Sequence, residues 1–133
     1  MAYGVSVAGK WAYRSYLNTA DQRIFGQGIF TFTTPSTTTL KGTLDMGGGL
    51  VLDLDGSVRP PDKGSPLSVA IKGYGRAGTK TEGWEYDYDA FLGHQWPSGV
   101  DQVPSLVGTV IRAKPHNGAP AGVTASFIAV KQS

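Results

Sequence analysis

Eight runs of residues with strand-like patterning, between residues 5 and 131, follow one another with only short Gly-, Pro- or Asn-rich breaks, and no stretch carries helical periodicity. A period of two places successive side chains on opposite faces of a strand, so each run has one apolar face that must be covered. The runs are residues 5–17, 24–34, 38–46, 50–58, 66–75, 82–94, 103–114 and 121–131. Most of the links between them are hairpin-length, which favours antiparallel neighbours, and a meander of this kind avoids exposed edges best by closing on itself. The pattern predicts an all-β fold, an eight-stranded antiparallel up-and-down β-barrel. Its rival on the same pattern is a two-sheet sandwich.

At 133 residues the chain predicts a single domain, residues 1–133, with enough core to need no metal or disulfide staple. It has no cysteine, which excludes disulfides, thiolate zinc sites and cysteine nucleophiles. Twelve basic and ten acidic residues are scattered without a Lys/Arg block or an RNP-like aromatic motif, so no nucleic-acid partner is expected. The start, MAYGVSVAGKW, lacks the cationic and apolar regions of a signal peptide. No apolar run approaches the roughly 20 residues of a membrane span. The expectation is therefore a soluble, cytoplasmic protein with no membrane partner. Glycine, at 19 residues, is about twice its usual share and is spread through strands and turns, as bends and bulges in a tightly curved sheet require.

Residues 38–46 alternate most cleanly, with Leu40, Gly42, Leu44 and Met46 opposite Lys41, Thr43 and Asp45. If Leu40, Leu44, Leu52, Leu54, Val69 and Ile71 face inward, continuity of the pleat brings Trp11, Tyr13, Phe30, Phe32, Trp84, Tyr86 and Tyr88 inward as well. Small residues share those faces: Ser15, Gly42, Gly56, Gly73, Ala90, Ser105 and Ala125. They either leave a cavity among the aromatics or interdigitate with them to fill the barrel. In the first case Tyr13, Ser15, Phe32, Trp84, Tyr86 and Tyr88 are the candidate ligand-binding residues, with apolar walls and a few hydroxyls.

The remaining chemistry is sparse. Glu85, Asp87 and Asp89 lie opposite the aromatic face, which predicts a solvated acidic face near Arg14 or Lys131; turned inward, they would be candidates for acid–base work. His94 and His116 lack metal-ligand spacing, so neither a metal site nor a cofactor is expected. There is no Gly-x-Ser-x-Gly nucleophile motif and no phosphate-binding loop.

Gly9-Lys10-Trp11 on the first strand, with Thr109-Val110-Ile111-Arg112 late on the seventh, resembles the two-part signature of the calycin superfamily, the lipocalins and avidins. There a Gly-x-Trp opens the first strand, and an arginine from a late strand packs across the tryptophan ring at the closed end. The resemblance implies a calycin-like barrel with Trp11 and Arg112 as a structural plug. It departs from the avidins at Ala12, where they carry a polar Asn, and at Val107-Gly108-Thr109-Val110, which lacks their tryptophan. Biotin is thus not the expected ligand. Tyr86-Asp87-Tyr88 likewise is not the Thr-Asp-Tyr motif of lipocalins.

The expected function is binding of a small apolar or aromatic molecule in the barrel lumen. The alternative is a small barrel enzyme of isomerase, cyclase or hydratase type that uses a lumen Tyr or carboxylate as acid or base. Outward Phe91, Ile128 and Val130 hint at an apolar patch and make a homo-oligomer a candidate assembly.

Overall fold

The computed structural model describes residues 7–132, so Val5 and Ser6 of the first expected strand lie outside the described residues. The strands are β1 (Gly9–Leu17), β2 (Ile24–Thr33), β3 (Thr39–Asp45), β4 (Val51–Arg59), β5 (Ser68–Gly75), β6 (Glu85–Leu92), β7 (Ser105–Arg112) and β8 (Thr124–Lys131). Each pairs antiparallel with the next, and β1 also pairs with β8 from Trp11↔Lys131 to Leu17↔Ala125. That last ladder closes the sheet into a barrel and disposes of the sandwich alternative. Among the described residues there is no helix. The ends of several strands are trimmed relative to the sequence pattern. Trp84, expected within the sixth strand, instead closes the loop before β6, its N–H donating to the Thr81 carbonyl.

Up-and-down order sorts the barrel ends by strand parity. Odd strands start and even strands finish at one end, where Trp11, Phe32, Leu40 and Leu106 pack as fully buried side chains. This end is closed. Trp11 donates its indole N–H to the Val7 carbonyl at 2.9 Å, and the Lys131 ammonium lies 5.6 Å from the centre of its ring. Arg112, at the finish of an odd strand, sits at the opposite end, with its guanidinium over Phe25 and Tyr86. The Trp11–Arg112 plug implied by the resemblance is thus corrected: an odd-numbered strand cannot bring its last residue to the end where β1 begins. The cation over the indole comes from β8.

The middle of the lumen is filled. Tyr13, Phe30, Tyr88 and Phe127 meet edge-on or tilted, with ring centres 4.9 to 6.2 Å apart. The small residues do not hold a cavity open there. A Cβ on Gly73 would touch Leu52, Leu54 and Tyr88 at 3.2 to 3.3 Å, so glycine makes room for those side chains. At Gly42 and Gly108 a Cβ would run into the carbonyls of Thr31 and Asp89 on the neighbouring strand, so glycine there permits the sheet to coil tightly. Ser105, expected inward, alternates with buried Leu106 and so lies on the other face of β7.

The acidic row points outward as expected, but its partners differ. Asp87 pairs with Lys72 at 2.8 Å and Glu85 with Lys114 at 3.3 Å, rather than with Arg14 or Lys131. The register explains this: β6 lies beside β5, where Lys72 is opposite Asp87.

Two substitutions separate close backbone approach from ordinary exposure. Gly108→Ala is expected to cost about 1 to 3 kcal/mol, the usual range for overpacking. Phe91→Ala on the outer face, where Phe91 is 58% exposed, should stay within about 0.5 kcal/mol. Urea-unfolding midpoints check both, and equal shifts would contradict the role given to Gly108.

Candidate functional site

Above the aromatic waist, at the end where β1 finishes, a cavity of about 370 Å³ remains. Phe25, Met46, Leu50, Leu52, Trp84 and Tyr88 supply most of its apolar wall, and Tyr86, Arg112, His116 and Gln27 its polar part. Furrows of similar or larger volume, about 430 and 480 Å³, cross the outside of the sheet. Those are shallow and bordered by outward residues such as Lys72, Asp87 and Arg14, whereas at the barrel mouth aromatic side chains converge on one space.

Local devices deliver each wall. The register slips between Ser15 and Tyr16, pairing Ser15 with Gly26 but Tyr16 with Ile24, so Phe25 is the extra residue of a β-bulge. A bulge re-aims the side chain it carries, and the Phe25 ring comes to rest 6.1 Å from Tyr86 and beneath Arg112. Met46 and Leu50 flank the hairpin of Gly47, Gly48 and Gly49, whose φ angles of +63° to +83° suit glycine alone. Trp84 is set by its loop: the fully buried Thr81 hydroxyl donates to the Val51 carbonyl at 2.9 Å and accepts from the Arg76 N–H at 3.1 Å. His116 rides on the tight turn that follows β7, in which Asn117 and Gly118 have positive φ.

The polar part forms one chain. The Arg112 Nε donates to the Tyr86 hydroxyl at 3.0 Å, and the Tyr86 hydroxyl lies 2.7 Å from His116 Nε2. The guanidinium can only donate, so the phenol oxygen accepts from it, and we assign the phenol proton to Nε2 of a neutral imidazole, which lets the hydroxyl both accept and donate. That assignment leaves the ring proton on Nδ1. Burial, and then the Arg112 charge, lower the His116 pKa, which favours the same neutral ring. The imidazole stacks on Trp84, with centres 4.1 Å apart and planes 16° from parallel. His116 Nδ1 and Trp84 Nε1 are both buried and have no hydrogen-bond partner.

Burial raises the pKa of Tyr13 and Tyr88, so both phenols stay neutral near neutral pH. Tyr13 donates to Ser15 Oγ at 2.8 Å, and Ser15 Oγ donates to the Gly26 carbonyl at 3.2 Å.

Of the six ligand-binding candidates, Tyr13, Trp84, Tyr86 and Tyr88 line the cavity. Ser15 lies fully buried in its own hydrogen bonds, and Phe32 stacks on Phe30 toward the Trp11 end, 6.4 Å from that ring. Neither reaches the mouth. Sequence reasoning missed Phe25, Met46 and the site role of His116, and it assigned Arg112 elsewhere. Arg112 could have been placed by strand parity; the Phe25 bulge and the landing of His116 on Trp84 had no local signal. His94, the other histidine, meets Trp96 edge-on, with ring centres 4.7 Å apart. Compared with protein-family models, curated proteins and solved structures, the chain matches none of them.

The neutral imidazole has a consequence for pH. His116 has a lower pKa folded than unfolded, so the unfolded chain binds the extra proton first as pH falls. Its contribution to stability is complete above the ordinary histidine range and is lost as pH drops from there to the depressed folded value. We expect His116 to titrate below the ordinary histidine range in an NMR pH series, and His116→Gln to flatten the acid-side fall in unfolding midpoint. A titration of His116 at or above the ordinary value would contradict the neutral, buried ring described here.

Proposed function

We propose that this protein is a calycin-like barrel that binds a small apolar or aromatic molecule at the mouth of its lumen, in the cavity between Phe25, Met46, Trp84, Tyr86 and Tyr88. The observation that carries this reading is the coincidence of a filled waist with a walled mouth. The waist supplies a floor of tyrosine rings, and Trp84 and Phe25 flank the entrance. Contact between flat apolar faces favours an aromatic guest, with hydroxyl and imidazole groups left to orient it. A Gly-x-Trp opening β1, capped by a cation from the last strand, supports the calycin comparison in kind, with Lys131 in the role first assigned to Arg112.

A second reading has one observation in its favour. The Arg112–Tyr86–His116 chain couples a phenol to a neutral imidazole, an arrangement suited to moving a proton at a bound substrate. Such an enzyme, of isomerase, cyclase or hydratase type, would rely on Tyr86 and His116. Among the described residues no carboxylate lines the cavity, and Glu85, Asp87 and Asp89 belong to the outer face.

Native mass spectrometry of protein purified from its own host tests both. A small molecule held under gentle conditions and lost on denaturation is the expected result. Recovery of that molecule unchanged after incubation favours binding, and its conversion favours catalysis. For a ligand so found, Trp84→Ala is expected to weaken affinity about tenfold or more. Phe32→Leu should leave affinity unchanged while costing about 1 kcal/mol of stability. The reverse pattern would move the site to the closed end.

A further inference from the structure

Among the described residues the cavity is lined by one cation, Arg112, and no carboxylate lies within ion-pair distance of it. Among the described residues the acidic side chains with ion-pair partners are matched elsewhere: Asp21 with Arg23, Asp53 with Arg76, Asp55 with Lys41, Asp87 with Lys72, and Glu85 with Lys72 and Lys114. Arg112 makes two hydrogen bonds, from Nε to the Tyr86 hydroxyl and from Nη1 to the Pro120 carbonyl at 3.1 Å. A guanidinium has five N–H donors, so three stay uncommitted. Its position is fixed in advance, because its central carbon lies 5.2 Å from the Phe25 ring centre and 5.7 Å from that of Tyr86. An arginine held in this way has already lost most of its side-chain freedom, and binding an anion need not supply that ordering.

The other unmatched groups agree in sign. Trp84 Nε1 is a buried N–H donor with no acceptor, and His116 Nδ1, buried and unmatched as well, is a second donor in the tautomer assigned above, so together with Arg112 these groups call for an acceptor-rich guest. The chemistry can be narrowed further. His116 is neutral and adds no charge, and the remaining wall is apolar, so a dianion such as a phosphomonoester would bring one charge that nothing offsets. A planar monoanion with two oxygens matches the guanidinium fork.

We propose that the occupant of the mouth cavity is a small monocarboxylate on an aromatic or short apolar body, its carboxylate held by Arg112 and its body seated between Phe25, Met46 and Trp84. This rests on the mouth cavity being the binding site. Arg112 is then the residue that selects the ligand's charge, and the hydrophobic wall selects its body.

Two probes of nearly equal shape separate the proposal from the reading beneath it: 2-naphthoate and its uncharged analogue 2-naphthamide, titrated calorimetrically near neutral pH. The unaltered protein is expected to bind 2-naphthoate about tenfold or more tighter than 2-naphthamide, the worth of a charge-assisted hydrogen bond. Arg112→Gln should erase that preference by weakening 2-naphthoate alone. Equal binding of both probes by the unaltered protein would leave the cavity as a binding site and overturn the carboxylate proposal. A preference that survives in Arg112→Gln would overturn it too, by placing the anion elsewhere. If neither probe binds, the site itself fails and the proposal falls with it. Far-UV circular dichroism monitors folding, and should Arg112→Gln not fold, Arg112→Lys replaces it. Lysine keeps the charge without the fork, so it should bind 2-naphthoate several-fold more weakly and 2-naphthamide as before; unchanged binding of 2-naphthoate would count against the proposal.

Discussion

Tyr13, Phe30, Tyr88 and Phe127 reach the barrel axis from β1, β2, β6 and β8, and their edge-to-face contacts span the waist from side to side. Each such ring contact adds about 0.5 to 1.5 kcal/mol to the larger gain from burial. Because strands on both sides of the β1–β8 seam contribute rings, the contacts that fill the waist also hold the barrel closed. The same rings divide the lumen. Toward Trp11 the space is packed with leucines and phenylalanine; toward Arg112 the rings become the floor of a cup.

Charge is distributed with equal consequence. The ion pairs of the outer face, such as Lys41–Asp55 and Arg76–Asp53, are well exposed and each contributes little. They lie on the outside of the sheet, and among the described residues no carboxylate lines the cavity to neutralise Arg112. A guanidinium that is half-buried against aromatic rings exerts a stronger field than one in water, and after burial, the larger cause, that field also lowers the pKa of the adjacent His116. Hence the outer face carries most of the charge, and the inner end keeps the one charge able to act on a guest.

Much of the fold was legible because it is local. The alternation of Leu40, Gly42 and Leu44 with Lys41, Thr43 and Asp45 states which side of β3 is buried without reference to any other strand. Four of the six candidate residues, Tyr13, Trp84, Tyr86 and Tyr88, line the mouth cavity because they continue the inward face toward that end. Phe32 failed because an inward direction says nothing about depth along the axis. Ser15 failed because a buried hydroxyl next to a tyrosine takes that tyrosine as its partner before any ligand. Arg112 was misassigned although strand parity was available, since β1 and β7 run in the same direction and so place Trp11 and Arg112 at opposite ends.

The sequence by itself determined the eight strands, their order and the inward face of most of them, because a two-residue period and short links are properties of adjacent residues. Only the tertiary structure decided that β1 meets β8, that Phe25 leaves its strand as a bulge, and that His116 comes down on Trp84 and Tyr86. These depend on the register between strands and on where a loop lands after the barrel has closed. Both are set by the joint packing of side chains far apart in the chain, which no short stretch of sequence contains.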